Sequence, residues 1–224
     1  MSVAHPAATV ILLRDGIHGC ETLLLRRSSK LAFHGGAWVF PGGRIDAEDY
    51  SAAGGEDVTA AARWAAVREA REEAAVEVDP ARLVLMSRWV TPEGLPKRFD
   101  TWFFVGPASA DRVQVDGGEI HAHRWIAPSE ALAVHRAGEI DLPPPTFVTL
   151  LELAKFERVA AVLEHLAVEP PRVFLPRVGY FADGTPCTVY SEDAGYDSGN
   201  LETPGPRHRL VLAAQGWKYE RDLG

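Results

Sequence analysis

Six consecutive residues, Arg68-Glu69-Ala70-Arg71-Glu72-Glu73, hold the densest potential chemistry of the 224-residue chain. On a helix Glu69 and Glu73 are four apart and Glu72 is three from Glu69. Three carboxylates then share one face, with Cβ atoms about 6 Å apart. Like charges so placed oppose helix formation and raise one another's pKa values unless a cation lies between them. Clusters of oxygen alone best suit hard divalent ions such as Mg²⁺. The competing account of the same residues is a solvated helix face laced with Arg–Glu pairs. Upstream, Phe40-Pro41-Gly42-Gly43 turns the chain after a short strand. Glycines there let backbone carbonyls approach a metal or a phosphate closely.

The carboxylates need a helix, and Asp57 or Thr59 would cap one running to about Val76, with Trp64, Val67, Ala74 and Ala75 as its apolar face. Before it, Thr9–Leu13 and Glu21–Arg26 read as strands joined by a turn over Arg14–Gly19, Ala37–Phe40 as a short strand, and Ser51–Glu56 as a loop around Gly54-Gly55. After it, Leu83–Val90, Arg98–Val105 and Glu119–Ile126 read as strands, and Pro128 starts a short helix with Ser129 and Glu130 in its first turn. Pro143-Pro144-Pro145 precedes a helical pattern over Phe147–Leu166, whose apolar residues mostly recur at three or four. Short β-like pieces follow at Val173–Leu175, Val178–Phe181, Cys187–Tyr190 and Arg209–Ala213. Glu192–Pro206 reads as a loop. Pieces this short bury little surface alone, so they are expected to pack on the first domain or on a partner subunit.

Composition narrows the function. The chain has 46% hydrophobic and 24% charged residues and a net charge of −8, an ordinary globular balance. A net-acidic surface argues against nucleic acid or an anionic membrane as main partner. An anionic substrate would then need a local metal or an arginine cluster. No long apolar run suggests a transmembrane helix, and the first twenty residues do not read as a secretory signal. Cys20 and Cys187 form no CxxC and no zinc spacing. They read as reduced thiols, with a single disulfide as the alternative.

Gly43, Asp49 and Arg68-Glu69-Ala70-Arg71-Glu72-Glu73-Ala74-Ala75-Val76 together resemble the Nudix box, G-x5-E-x7-R-E-U-x-E-E-x-G-U with U apolar. Flanking Leu23-Leu24-Leu25, Arg27-Ser28 and Trp125-Ile126-Ala127-Pro128-Ser129-Glu130-Ala131-Leu132 agree. Asp49 stands where the family usually has Glu, and Ala75 where it has Gly. Gly43 and Arg68 lie 25 positions apart, about eleven more than usual, and the extra residues are expected to loop out between Asp49 and the helix. Arg27-Ser28, Gly36 and Phe40-Pro41-Gly42-Gly43 partly match the signature of coenzyme A-hydrolysing Nudix enzymes, with Leu25 in place of Thr and Ala32 in place of a second Arg. The interrupted box, Phe40-Pro41-Gly42-Gly43-Arg44-Ile45-Asp46 and Arg98-Phe99-Asp100-Thr101-Trp102-Phe103-Phe104 look most like the peroxisomal coenzyme A diphosphatase branch and its bacterial relatives.

The resemblance implies an α+β fold, the Nudix α/β/α sandwich with a mixed sheet. Residues 5–137 would form the Nudix domain, with an insertion at about 50–59. Residues 138–224 would add a helix and a short β extension. It implies Mg²⁺ or Mn²⁺ held by Glu69, Glu72, Glu73 and the Gly42 carbonyl, and a small-molecule diphosphate cut by water. Arg68 would brace the loop through Asp49 or a backbone carbonyl, as an always-charged guanidinium can. The proton acceptor stays open among Glu69, Glu73, Glu119 and Glu93. Glu119 would share a strand face with His121 and His123, which read as a transition-metal set or as solvent-facing histidines. Arg27, Arg98 and Lys97 could meet substrate phosphates, and Trp102 could stack on a base or belong to the core. His34 reads as an exposed loop histidine. Expected substrates are coenzyme A or acyl-coenzyme A, with ADP-ribose or NADH as the alternative. A non-catalytic ligand sensor is the alternative of another class. A homodimer is compatible with the extension, and a cytoplasmic location is the default, since Arg-Asp-Leu-Gly is not a peroxisomal Ser-Lys-Leu address.

Overall fold

A long first strand, β1 (His5–Gly16), organises the sheet. The computed structural model describes residues 3–17, 19–30, 34–109, 112–115, 117–213 and 216–224. Ala32, and His18 within the expected Arg14–Gly19 turn, lie outside the described residues. β1 runs parallel to β6 (Phe99–Pro107) and antiparallel to β2 (Gly19–Arg27). Further strands are β3 (Trp38–Val39), β4 (Gly42–Arg44), β5 (Val84–Val90), β7 (Ile120–Ile126) and β8 (Arg172–Phe174). The order is β3-β2-β1-β6-β5-β8, with β4 on β1 and β7 on β2.

Alternation along the central strands divides two cores. Val10, Leu12, Leu23, Leu25 and Phe104 face the alanines of a long helix, α2 (Val58–Ala74). Ile11, Leu13, Leu24, Phe103 and Val105 face the opposite side. There α3 (Pro128–Arg136), α4 (Pro144–Leu153) and α5 (Val159–Val168) supply Leu132, Phe147, Leu150 and Val162. The period of two on strands buried on both faces produces this division. The result is the α+β arrangement, with helices on both faces of a mixed sheet.

Helix α2 departs from expectation in its face and its ends. Ala62, Ala66, Ala70 and Ala74 recur every four residues and are buried, together with Ala61 and Ala65. Trp64 points away from that stripe and is 36% exposed, because two residues from Ala62 is more than half a turn. The small alanines let the helix lie close to β1. Asp57 is the cap, its carboxylate accepting from Thr59 N at 2.9 Å, as N-cap acids do. The helix stops at Ala74 rather than Val76. Ala75 adopts φ 53, and Val76 N bonds Ala70 O at 3.1 Å while Ala75 N bonds Arg71 O at 3.0 Å. This left-handed C-terminal turn normally takes Gly, and the Cβ of Ala costs about 1–2 kcal/mol there. Ala75→Gly should therefore stabilise the chain by about 0.5–1 kcal/mol after the extra freedom of an unfolded Gly is counted. The check is a higher urea midpoint with an unchanged m-value.

The expected Ser51–Glu56 loop is instead partly helical. A short helix, α1 (Ala47–Ala53), ends at Gly54 with φ 76. The box insertion is thus the end of α1, a turn and the start of α2, not a looped-out segment. The expected Phe147–Leu166 helix is broken into α4 and α5. Its apolar spacing jumps by five between Ala154 and Val159, out of step with one helical face, and the Asp15 carboxylate accepts from Val159 N at 2.9 Å to start α5.

After β8, strands β9 (Arg177–Tyr180), β10 (Pro186–Val189), β11 (Arg207–Ala213) and β12 (Gly216–Asp222) form a second antiparallel sheet in the order β12-β11-β10-β9. β12 was not foreseen. Its Trp217 donates Nε1–H to Leu142 O at 3.0 Å. Trp89 stacks on Phe174 with centroids 3.7 Å apart, and Tyr190 meets Trp89 edge-on. Asp193 and Arg209 form a buried pair with two 2.7 Å contacts. Cys20 and Cys187 are buried free thiols, each pushed up to about 11 primarily by burial. Among the described residues no helix is long and apolar enough to cross a membrane.

Candidate active site

The glycine bend and the carboxylate helix meet at a fork in the sheet. β1 pairs with β4 over Ala7–Thr9 and with β2 over Leu13–Gly16. A Cβ on Gly42 would lie 2.5 Å from Ala8 O, and one on Gly43 2.2 Å from Glu69 Oε1. At Gly42 the obstacle is backbone, so nothing larger than glycine fits there, whereas at Gly43 a side chain would have to displace the Glu69 carboxylate. The Gly42 N–H donates to Glu73 Oε2 at 2.9 Å, tying the bend to the helix.

Arg68 is the hub. Its Nε and Nη2 donate to the two oxygens of Asp49 at 3.2 and 3.0 Å. Nη2 also reaches Arg44 O at 2.8 Å, and Nη1 reaches Glu69 and Glu72 at 2.8 and 3.0 Å. Both bracing partners expected from the sequence are engaged at once. Asp49 is 3% exposed and accepts from Asp46 N at 2.8 Å, so the shorter acid still meets the guanidinium. Burial alone would lower the Arg68 pKa, but Asp49 and Glu69 outweigh it and hold the group charged.

The three glutamates are gathered, though not as a closed metal cage. Among the described residues no group of three or more His, Cys, Asp and Glu is drawn together as a metal ligand set. Glu69 and Glu72 share Arg68 Nη1, whereas Glu73 leans on Gly42. Burial raises the Glu69 pKa, partly opposed by Arg68, with Glu72 and Asp46 raising it further. Burial likewise pushes Glu73 up to about 8, opposed by the Gly42 N–H and Arg27 and aided by Glu69 and Glu119. Glu69 and Glu73 therefore resist ionising together without a positive partner. An all-oxygen set in that condition fits a hard divalent cation.

Around this cluster the structure sorts the remaining candidates. Arg27 lies near Glu73 and Glu119, with Nη2 3.9 Å from Glu119 Oε2, and its buried Nε has no hydrogen-bond partner among the described residues. Glu119 precedes β7 rather than lying within it, and His121 and His123 are exposed. Arg98 bonds the carbonyls of Thr91 and Pro92, both at 3.1 Å, so it braces the Thr91–Lys97 loop. Exposed Glu93 lies on that loop. Lys97 lies over the Phe99 ring. Trp102 is core, 6% exposed, beneath the Arg88 guanidinium, because its strand face packs on the α2 side.

A cleft of about 350 Å³ opens beside the bend, and Gly42, Arg27 and Thr9 contribute to its wall. His34 also lines it, with φ 53. Pro143–Thr146, Pro176, Thr188 and Tyr190 line it too. Sequence reasoning missed these tail residues. They come from three separate segments and form no local pattern. None of residues 50–59 lines the cleft, so the insertion does not fill it.

A family model described as the NUDIX domain matches residues 3–145. The chain belongs to the Nudix family. Nudix hydrolases generally work with divalent metal ions. Among curated relatives it is 30% identical over 115 residues to "Acyl-coenzyme A diphosphatase NUDT19" of Xenopus laevis, covering 48% of this chain and 30% of that protein. It is 35% identical over 104 residues to the Homo sapiens protein of the same name, covering 44% of this chain and 28% of that one. The chain thus matches under a third of the length of either relative. The Nudix fold is seen again in a NUDIX hydrolase from Alicyclobacillus acidocaldarius, with a TM-score of 0.68, 24% identity, 76% of this chain covered and 100% of that chain. The box departures take on physical meaning within the family. Asp49 keeps the contact to Arg68, and Ala75 occupies the left-handed position where Gly is usual.

Proposed function

We propose that this Nudix enzyme is a divalent-metal-dependent diphosphatase of coenzyme A or acyl-coenzyme A. The observation that carries the reading is the placement of Arg27. A half-buried guanidinium, whose buried Nε has no hydrogen-bond partner among the described residues, lies in the same cleft wall as the Gly42 bend and within electrostatic reach of Glu73, where a diphosphate would need a cation. The partial coenzyme A signature around Arg27 and the relatives' printed activity support the same substrate class.

Glu69, Glu72, Glu73 and the Gly42 carbonyl would hold Mg²⁺ or Mn²⁺, which when bound neutralises a diphosphate and acidifies a water. Arg27 binds a phosphate oxygen. Arg68 keeps Glu69 and Glu72 oriented and fixes the bend through Arg44 O. Water attacks one phosphorus, the bridging P–O bond breaks, and the other phosphate leaves. Glu119 Oε2, beside Arg27, is the candidate to take the water's proton. Arg98 positions the Thr91–Lys97 loop.

The test is product analysis after incubation with Mg²⁺ and coenzyme A, acyl-coenzyme A, ADP-ribose or NADH. Release of a 4'-phosphopantetheine product faster than AMP from ADP-ribose or NADH is expected. Preference for ADP-ribose would move the substrate assignment, and binding without turnover of any of them would favour a ligand sensor.

A further inference from the structure

We propose, resting on that reading, that Tyr190 of the C-terminal extension is a substrate-binding residue whose hydroxyl hydrogen-bonds a polar group on the moiety joined to the diphosphate. Tyr190 lines the cleft that includes Gly42 and Arg27. It is 1% exposed, and its hydroxyl is buried without a hydrogen-bond partner among the described residues. Most buried hydroxyls are paired, because an unpaired one gives up its water for nothing. A phenylalanine would fill the same aromatic site without that loss.

The packing around the ring explains why the fold supplies no partner. Trp89 and Phe174 meet it edge-on, with centroids 5.8 and 5.2 Å away. The Trp89 Nε1–H is already given to Ser87 Oγ at 3.1 Å. His208, with its centroid at 4.8 Å, has both ring nitrogens engaged, one by Glu192 and the other by the Tyr219 hydroxyl at 2.7 Å. The open space that Tyr190 borders is the cleft, so the missing partner is a group of whatever occupies it. Burial holds the Tyr190 pKa well above the usual phenol value, so the hydroxyl keeps its proton and can donate. Thr188, two positions earlier on the same strand face, and Thr146, in the first turn of α4, line the cleft as well. The extension thus brings three hydroxyls to a wall that also carries Pro144, Pro176 and Trp89. A few polar groups fixed in such a wall set the orientation of a ligand.

The experiment pairs Tyr190→Phe with Tyr219→Phe. It reads the urea midpoint without ligand, kcat and KM for coenzyme A with Mg²⁺, and calorimetric binding of coenzyme A with EDTA. Removing an unpaired buried hydroxyl should raise the midpoint of Tyr190→Phe. Removing its bond to the substrate should raise KM and weaken binding by about fivefold or more, with kcat within about twofold because the bond is equally present before and during the reaction. Tyr219→Phe should do the reverse. Tyr219 is not among the residues lining the cleft, and the change strips His208 of a partner, so its midpoint falls and its KM stays. A KM within about twofold of wild type in Tyr190→Phe, or a lowered midpoint, overturns the proposal, because the hydroxyl is then satisfied within the fold. Coenzyme A bound but not hydrolysed by the wild type, with binding weakened in Tyr190→Phe, would instead sink the diphosphatase reading and leave the Tyr190 site standing. Neither binding nor turnover of coenzyme A would sink both.

Discussion

Glu73→Gln is expected to lower kcat/KM by about 10³-fold or more while leaving the fold intact. The two halves of that statement rest on different atoms. Structurally, Glu73 is an acceptor for the Gly42 N–H at 2.9 Å, and the amide oxygen of Gln can accept the same bond. Gln also needs no charge in a site where burial already pushes the carboxyl up to about 8. The substitution should therefore cost little stability, and the melting temperature should stay within a few degrees. Chemically, under the proposed metal-dependent reading, one anionic oxygen is removed from the three carboxylates that would hold the ion. The remaining Glu69 and Glu72 are both drawn toward Arg68, so neither replaces it. Titration with Mn²⁺, followed by its paramagnetic effect on water relaxation, should show weakened binding in step with the rate. A variant within a few-fold of wild type would remove Glu73 from the metal site and leave it a structural tie.

What could be read from the sequence follows what is local. The carboxylate helix, its Asp57 cap and the strands around it are encoded within a few residues of where they act, through i,i+4 spacing and strand alternation. Arg68 bracing through Asp49 was also legible, because both residues belong to one motif even with extra residues between them. The path of those extra residues was not. Ala47–Ala53 has no apolar stripe, and its start depends on Asp49 accepting from Asp46 N at 2.8 Å. The same limit explains the broken C-terminal helix: Asp15, 144 positions away from Val159, supplies the bond that starts α5. The cleft was the least legible feature. Leu95, Thr146, Pro176 and Tyr190 converge only after β8 joins β5, and no spacing in the sequence announces that pairing. Trp102 was ambiguous because Trp102 to Val105 is apolar on both strand faces, and only the helix packed on one face resolves it.

Arg68 tests whether bracing and catalysis are separable. The side chain is 16% exposed and faces Asp49 at 4%. Arg68→Ala leaves that carboxylate buried without its cation, a change that typically costs about 3–5 kcal/mol. It also frees Glu69 and Glu72 to repel each other, so activity should fall with stability. Arg68→Lys discriminates further. Lysine keeps the charge, but a single ammonium cannot span both Asp49 oxygens, Arg44 O and the two glutamates as the guanidinium fork does. Its stability loss should be smaller, about 1–2 kcal/mol by the loss of charge-assisted hydrogen bonds, yet its kcat should fall by about 10- to 100-fold because the carboxylates lose their orientation. Adding Asp49→Asn to each variant completes a double-mutant cycle on urea midpoints and on kcat. Strong coupling in stability with Arg68→Ala, together with a rate defect in Arg68→Lys that persists when stability is matched by temperature, is the expected pattern. Additive stabilities would mean that the Arg68–Asp49 pair does not hold the bend. A fully active Arg68→Lys would mean that charge alone, without the planar fork, is enough to order the carboxylates.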